Sequence, residues 1–333
     1  MNYFCTLFDS NYLSRGLALL ESLEENSDNF HLFIFAFDSN CLKILRSLKN
    51  KNISIISLEE FEDESLLRVK PTRSKAEYCW TCTPAIISYC MKNFSIKECT
   101  YVDADIYFFS NPQILLDEIA EKHSALITEH RYTPEYDQTK TSGKYCVQFM
   151  TFKNTPDSLS ILEWWKAKCI EWCFSRFEDG KFGDQKYLDD WPQRFPTTHE
   201  LSHLGGGMAP WNIQQYDLFV ENNKLFAKKK DNALAFPVVF YHFHAVRFLT
   251  EKTIDFGEYK LEKDILTNIY RPYCLHLEKI QQKIQPIENI DIHGQNLSKK
   301  SFPQKIVFFL RSLLGKHRNI FSLEKMRVDK WPI

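Results

Sequence analysis

Two aspartates, Asp103 and Asp105, stand two positions apart directly after an apolar run at 100–102. If that run is a strand, the pair lies at the mouth of a sheet rather than in its core. Carboxylates in such a place need a cationic partner, because an unpaired buried charge is costly. A divalent cation that bridges a diphosphate would satisfy both carboxylates and act as a Lewis acid for a leaving group. The alternatives are a helix cap or a loop salt bridge.

Two histidines, His242 and His244, stand near the end of another apolar run, 238–243. A spacing of two places both side chains on the same side of a strand. Imidazole is a good ligand for Mn²⁺ and a poor one for Mg²⁺, so histidine beside the two aspartates favours manganese. A site of oxygen ligands alone would also accept Mg²⁺. Alternatively, each histidine is a hydrogen-bonded core residue.

The first hundred residues alternate between apolar runs and amphipathic patterns, which predicts strands at 3–8, 31–37 and 53–58 with helices between them. This order predicts a Rossmann-like α/β fold with a mainly parallel sheet and flanking helices. Ligands of such sheets bind at the carboxyl ends of the strands. Further strands are predicted at 100–102, 125–128, 147–152 and 238–243, and further helices at 84–92 and from Pro156 onwards.

Beyond about Asp255 the pattern becomes helical with few strand signals, which predicts a domain at 1–255 and a helical C-terminal region at 256–333. That region contains a basic, aromatic segment at 299–318. Such a segment is typical of a helix that lies on an anionic membrane surface. Alternatively, it packs on the body of the protein with its cations in water.

Composition limits the class of protein. The formal net charge of −1 excludes a molecule built to coat nucleic acid. The start carries no secretory signal pattern, and no run approaches the roughly 20 apolar residues of a membrane span. The ten cysteines are scattered, which indicates a reducing cytoplasm. Cys79 and Cys82 have the spacing of a redox pair, but structural thiols are favoured there.

Four short segments stand in order along the chain: residues 5–12 (CTLFDSNY), 101–106 (YVDADI), 182–185 (FGDQ) and 241–245 (YHFHA). Together they resemble motifs of glycosyltransferase family 8 and related bacterial nucleotide-diphospho-sugar transferases, which have the GT-A fold. The resemblance covers about the first 250 residues. The joint occurrence of the four segments is far more specific than any one of them.

The resemblance implies a donor site in which Thr6, Phe8, Asp9 and Tyr12 line a nucleoside pocket. An aromatic wall can stack on a base, while a carboxylate and a hydroxyl bind its polar edges. Lys75 or the nearby Arg73 is expected to meet phosphate or acceptor charge. The alternatives are a strand end with a helix cap and solvated loop cations.

The resemblance also implies roles around the reacting atoms. Asp103 would bind the donor and, with Asp105 and His242, hold the metal, while His244 is an alternative ligand or a supporting neighbour. Asp184 would orient acceptor or donor hydroxyls, and Gln185 would lie near the anomeric carbon. Alternatively, Asp184 only caps a short helix.

Several positions depart from the family pattern. Ala245 replaces a glycine that usually touches the donor phosphates, and no Lys-Pro-Trp follows it. Trp80 stands where many members have an arginine in the donor site. The segment 147–149 (VQF) replaces the usual Asn-Ala-Gly. These departures bear on the sugar and the nucleotide more than on the fold, and they suggest a divergent branch.

The resemblance therefore implies a Mn²⁺- or Mg²⁺-dependent glycosyltransferase that uses a nucleotide-diphosphate sugar, most simply a UDP-hexose with retention of configuration. The expected acceptor is a surface glycan or a lipid-linked glycan at the cytoplasmic face of the membrane. One alternative is a catalytically inactive GT-A scaffold. The other is a sugar-nucleotide-forming nucleotidyltransferase, although 8–11 (FDSN) is not the glycine-rich, basic loop of that class.

Overall fold

The structure is a computed structural model that describes residues 1–231, 234–295, 319–328 and 331 of the 333-residue chain. The predicted membrane-surface segment at 299–318 lies outside these residues, so its role stays a prediction. Within the described part of the chain, no helix has the length and apolar character needed to cross a bilayer.

The strands of the described residues are β1 (Asn2–Phe8), β2 (Phe30–Ala36), β3 (Ile53–Ser57), β4 (Glu98–Val102), β5 (Ile106–Phe108), β6 (Ala125–Glu129), β7 (Tyr145–Lys153), β8 (Thr198–Glu200), β9 (Tyr216–Glu221), β10 (Lys224–Lys229), β11 (Ala235–Pro237), β12 (Phe240–His242), β13 (Arg247–Thr250), β14 (Thr253–Asp255) and β15 (Ile320–Ser322).

The α-helices of the same residues are α1 (Leu13–Asn26), α2 (Ser39–Ser47), α3 (Leu58–Phe61), α4 (Glu64–Val69), α5 (Lys75–Asn93), α6 (Gln113–Leu116), α7 (Thr139–Ser142), α8 (Pro156–Glu171), α9 (Trp191–Arg194), α10 (Lys263–Ile265), α11 (Arg271–Ile284) and α12 (Leu323–Met326). Short 3₁₀ turns occupy Ser10–Tyr12, Lys70–Thr72, Pro134–Tyr136, Gln185–Leu188 and Ile213–Gln215, and a π-helical turn occupies Leu266–Tyr270.

A seven-stranded sheet forms the centre of the protein, in the order β3-β2-β1-β4-β7-β6-β8. β3, β2, β1 and β4 are parallel neighbours, and β8 is parallel to β6. β7 runs antiparallel to both β4 and β6. The predicted α/β fold, with a mainly parallel sheet and flanking helices, is confirmed.

Helices cover both faces of this sheet. Along β1, Phe4 and Phe8 join the apolar cluster that includes α1 and α11, whereas Cys5 and Leu7 join the cluster that includes α5 and α8. This alternation follows from the pleat of a strand, in which successive side chains point to opposite faces. Because both faces are covered, the strands are apolar along nearly their whole length.

Helix α5 begins at Lys75, well before the predicted start at Pro84. A capping box explains the difference: the Glu77 N–H donates to the Ser74 hydroxyl, and the Ser74 N–H donates to the Glu77 carboxylate. The Cys79–Cys82 pair therefore lies inside a helix. Burial raises the pKa of Cys79 to about 12, which favours a structural thiol over the reactive thiolate of a redox site.

The chain after Asp255 combines helices with a strand. α11 packs against α1, and β15 pairs with β14, so this region joins the same apolar cluster as the N-terminal helix. The boundary at 255/256 stays a prediction about domains.

Gly16 on α1 faces the ring of Phe8, and a Cβ atom added there would lie 2.3 Å from that ring. We expect Gly16→Ala to lower the free energy of unfolding in urea by about 1–3 kcal/mol, the usual cost of overpacking a core. Glu25→Ala, at an exposed position of the same helix, is the control and should stay within about 0.5 kcal/mol of wild type. Equal stability of Gly16→Ala and wild type would contradict the tight packing.

Candidate active site

Asp103 and Asp105 occupy a tight turn that joins β4 of the central sheet to β5. The Ile106 N–H donates to the Asp103 carbonyl over 3.1 Å and closes the turn. The Asp103 N–H donates to the carbonyl of Gln148 on β7 over 3.0 Å. Ala104 between the aspartates is buried. The two carboxylates therefore stand at the carboxyl end of β4, at the edge of the sheet where ligands bind in this class of fold.

His242 reaches the same place from a distant part of the chain. β12 pairs with β5 in an antiparallel ladder whose register sets His242 opposite Ile106. The His242 N–H donates to the Met208 carbonyl, and the Phe243 N–H donates to the Asp105 carbonyl, both over 2.9 Å. The register of this ladder brings the imidazole to the aspartates, because a slip of one residue would turn the side chain to the other face.

The ligand atoms of Asp103, Asp105 and His242 all lie within 4.8 Å of one another. His242 Nε2 lies 3.1 Å from Oδ1 of Asp105 and 3.8 Å from Oδ2 of Asp103. Two carboxylates and an imidazole form a mixed oxygen and nitrogen set, which suits manganese better than magnesium. The residues therefore fit a divalent cation by their chemistry and their spacing.

The groups in this cluster shift one another's pKa values. Burial raises the pKa of Asp103. Burial also opposes ionisation of Asp105, but the adjacent His242 outweighs it and lowers the pKa of Asp105 to about 2. In return, Asp105 raises the pKa of His242 well above its usual value despite the burial of the imidazole. A divalent cation bound between these groups would take the place of the imidazole proton.

Three further side chains contact the cluster, and the sequence pattern predicts a role for none of them. Gln148 Oε1 lies 2.9 Å from His242 Nδ1. The Tyr101 hydroxyl donates to Asp103 Oδ1 over 2.8 Å. The Trp211 ring stands edge-on to His242 with centroids 5.3 Å apart. A glutamine within the apolar run of β7 was the available signal for the first of these.

His244 lies outside the group of three. Its ring centroid is 6.0 Å from that of His242 and 5.4 Å from that of Trp211. Part of the His244 side chain is accessible to water, but many protein atoms lie close to the imidazole. The resulting desolvation, and then the positive charge of His242, lower the pKa of His244 to about 4. The structure thus places His242 among the candidate ligands, with His244 as a neighbour of His242 outside that group.

Asp184 and Gln185 begin the turn Gln185–Leu188. Asp184 is buried and makes no side-chain capping hydrogen bond, unlike the capping residue of the alternative interpretation. Its carbonyl accepts from the Trp165 indole over 2.9 Å, and Gln185 Nε2 donates to the Ser142 carbonyl over 2.8 Å. Burial, and then the negative charge of Asp103, raises the pKa of Asp184 to about 8. A protonated Asp184 can donate a hydrogen bond at neutral pH.

The residues expected around a nucleoside divide into two groups. Asp9 accepts from the backbone and side chain of Asn11, and Lys75 Nζ lies 3.9 Å from its carboxylate. Tyr12 is 40% exposed, so its ring is accessible. Thr6 and Phe8 are buried, and the Phe8 ring packs on α1. The structure therefore brings Asp9, Tyr12 and Lys75 to the surface and places Phe8 in the core.

Two departures from the family pattern have visible consequences. Ala245 adopts a φ of 66°, in the left-handed region that favours glycine. The backbone at position 245 thus keeps a conformation that suits glycine, and the alanine that occupies it is strained. The Trp80 ring packs beside Phe182, with centroids 6.4 Å apart, and lies over Gly183. Trp80 therefore stands next to the segment that carries Asp184.

No family model matches the chain. It is 29% identical over 292 residues to the uncharacterized protein YfnD of Bacillus subtilis (strain 168), and the aligned region covers 85% of this chain and 91% of YfnD. It is 26% identical over 295 residues to the uncharacterized protein YfnF of the same strain, and the aligned region covers 86% of this chain and 94% of YfnF.

Among solved structures, the chain is similar to the galactosyltransferase LgtC in complex with donor and acceptor sugar analogues. The TM-score is 0.51 at 11% identity, over 84% of this chain and 96% of LgtC. This likeness confirms the predicted GT-A glycosyltransferase fold. The narrower assignment to family 8 stays a prediction.

The raised pKa of Asp184 predicts a specific dependence of stability on pH. The folded protein holds this proton up to about pH 8, whereas the unfolded chain releases it near pH 4, so the stability that it contributes is lost as the pH rises. Asp184→Asn removes the titration. We expect the variant to gain stability relative to wild type by on the order of 1 kcal/mol per pH unit between pH 5 and 8.

Urea denaturation in the presence of a chelator, at pH 5, 7 and 9, measures this gain. Asp28→Asn, at an exposed position, is the control and should track wild type at every pH. Parallel pH curves for Asp184→Asn and wild type would show that Asp184 is ionised in the folded protein.

Proposed function

We propose that this protein is a metal-dependent glycosyltransferase that moves a sugar from a nucleotide-diphosphate sugar to a carbohydrate acceptor. One observation carries the proposal: Asp103, Asp105 and His242 meet at the carboxyl end of β4 in a GT-A fold. We further propose a UDP-hexose donor and transfer with retention, which rest on the resemblance of the sequence motifs. LgtC, which shares the fold, is described with donor and acceptor sugar analogues.

The residues of the cluster have separate tasks in this reaction. Asp103, Asp105 and His242 would hold Mn²⁺, which when bound neutralises the negative charge that develops on the departing diphosphate. Tyr101 donates to one oxygen of Asp103 and so fixes the carboxylate. The ladder between β5 and β12 fixes Asp105 relative to His242. Such preorganisation lowers the barrier because no group needs to be rearranged during the reaction.

The donor's nucleoside would lie near the end of β1. Asp9 and the Tyr12 ring offer a carboxylate and an accessible aromatic surface there, and Lys75 supplies a cation beside Asp9. Thr6 lies within β1 and is buried, so it would support the pocket rather than contact the base directly. Tyr12 rather than Phe8 is then the ring available for stacking.

Asp184 and Gln185 would act on the sugars. A protonated Asp184 can donate to a sugar hydroxyl, and a buried donor without a capping role is suited to that task. The Gln185 N–H is held by the Ser142 carbonyl, which orients the amide and leaves its oxygen for the reacting part of the substrate. Positioning of this kind, rather than proton transfer, would be the contribution of both residues.

The acceptor would bind against an aromatic wall that continues from the metal site. Trp211 is buried and contacts both histidines. Beyond it, the partly exposed Tyr259 ring lies 6.3 Å from the His244 ring, and the partly exposed Tyr136 ring lies 5.0 Å from that of Tyr259. Aromatic rings suit the apolar faces of sugar rings, and the tyrosine hydroxyls add polar contacts. This wall supports a glycan or the glycan part of a lipid-linked molecule as the acceptor.

Asp105→Asn tests the proposal directly. It keeps the size of the side chain but removes a negative ligand, so we expect sugar transfer, or slow hydrolysis of the donor, to fall about 1000-fold or more. Activity is measured on a panel of nucleotide-sugars at saturating Mn²⁺, with Asp217→Asn, at an exposed position, as the control. Undiminished turnover of Asp105→Asn would overturn the assignment, and a folded wild type without any donor turnover would favour the inactive scaffold.

The choice of metal and the two histidines provide a second test. We expect more activity with Mn²⁺ than with Mg²⁺. Activity should also fall as the pH falls, because protonated imidazole cannot bind a metal, and the decline should begin above the usual histidine range because Asp105 raises the pKa of His242. His242→Ala should raise the Mn²⁺ concentration needed for half activity strongly, and His244→Ala by about 10–100-fold at most. Mn²⁺ titrations of activity for both variants decide this. The opposite order would make His244 the ligand.

A further inference from the structure

One polar residue of the buried strand β7 contacts two members of the metal cluster. Gln148 is fully buried. Its backbone carbonyl accepts from the Asp103 N–H over 3.0 Å, and its side-chain Oε1 lies 2.9 Å from His242 Nδ1. Its neighbours in the strand, Val147 and Phe149, are apolar and buried. A single residue therefore links the turn that carries the aspartates to the strand that carries the histidine.

The side-chain contact determines which imidazole nitrogen can bind a cation. An amide oxygen only accepts hydrogen bonds, so Oε1 of Gln148 holds the proton on Nδ1 of His242. In the neutral imidazole, which is the form that binds a metal, the lone pair is then on Nε2, and Nε2 is the atom that faces Asp103 and Asp105. A metal-binding histidine requires such a partner at its other nitrogen, because the partner fixes both the tautomer and the ring orientation.

The other end of the same amide indicates why a glutamine stands here. Gln148 Nε2 is buried and has no hydrogen-bond partner among the residues that the structure describes. An apolar side chain of similar size would avoid this loss, so Gln148 does not serve the stability of the core. The space beside Nε2 is kept by Gly207, where an added Cβ would lie 3.4 Å from Nε2 and 2.8 Å from Thr128.

We propose that Gln148 is a positioning residue for metal binding, which fixes His242 with Nε2 directed at the metal and Nδ1 protonated. The proposal rests on the metal site of the proposed function. It concerns the residues of this chain alone, so it can be tested by metal binding without a donor or an acceptor.

Two substitutions separate the chemistry from the packing. Gln148→Met has nearly the same shape but no hydrogen-bond acceptor. Gln148→Glu keeps an acceptor and cannot donate, so it also tests the orientation of the amide. Gln215→Met is the matched control: Gln215 is a partly buried glutamine that donates to the Arg131 carbonyl and has no contact with His242.

The dissociation constant of Mn²⁺ is measured from the electron paramagnetic resonance signal of free Mn²⁺ on full-length protein. We expect Gln148→Met to bind Mn²⁺ about 10–100-fold more weakly than wild type, and Gln148→Glu to bind within about threefold of wild type or more tightly. The control should be unchanged. Gln148→Met removes an unpaired buried amide nitrogen but leaves the His242 Nδ1–H without its acceptor, so we expect its melting temperature without metal to stay close to that of wild type. A merely structural role would lower the melting temperature and leave the Mn²⁺ affinity of the folded protein unchanged.

The tautomer is read from ¹⁵N-labelled histidine in the Zn²⁺-loaded protein, where nuclear magnetic resonance distinguishes protonated Nδ1 from protonated Nε2. We expect Nδ1 of His242 to carry the proton in wild type and in Gln148→Glu. Equal Mn²⁺ affinity of Gln148→Met and wild type would overturn the role of Gln148 and leave the metal site intact. Weak binding by Gln148→Glu would show that the amide donates instead. A wild type that binds no Mn²⁺ would overturn both this proposal and the metal-dependent function.

Discussion

The short ladder between β5 and β12 is the constraint on which the candidate site depends. It has only three residue pairs, yet it joins the turn after β4 to a strand from a distant part of the sequence. Its register sets His242 beside Asp105, and the hydrogen bond that the Phe243 N–H donates to the Asp105 carbonyl fixes the end of the ladder. Everything else in the site builds on this contact. The turn after β4 supplies Asp103, β7 supplies Gln148, and the segment between β8 and β9 supplies Met208 and Trp211.

Several residues near this contact are unfavourable for stability. Asp184 is a buried carboxyl, Gln148 has an unpaired amide nitrogen, and Ala245 adopts a left-handed conformation. Each of these features costs free energy that a residue chosen for packing would save. Gln148 contacts Asp103 and His242, the charge of Asp103 acts on Asp184, and Ala245 follows His244 in the chain. Proteins commonly depart from local rules where function requires it, so these three features agree with a functional site at this place.

The sequence predicted those features that depend on local pattern. The apolar runs of β1 and β2 indicated a buried parallel sheet, and Asp103 and Asp105 stand at a strand end as predicted. The β5–β12 ladder was not predicted, because strands of three residues give no measurable periodicity. Phe8 was expected in a pocket, although it shares the core-facing side of β1 with Phe4. The role of Gln148 depends on a contact 94 positions away, which no local pattern contains.

The distance along the chain between the partners of the ladder also has a consequence for the order of folding. Pairs far apart in sequence form late, because a long loop must close before the contact contributes any free energy. The parallel strands β1, β2 and β3 and their helices are all made from the first sixty or so residues, so they can assemble without β12. We therefore expect the binding centre to be among the last parts of the protein to mature. A partly folded chain would already have its sheet but would lack the imidazole, and so could not retain a cation.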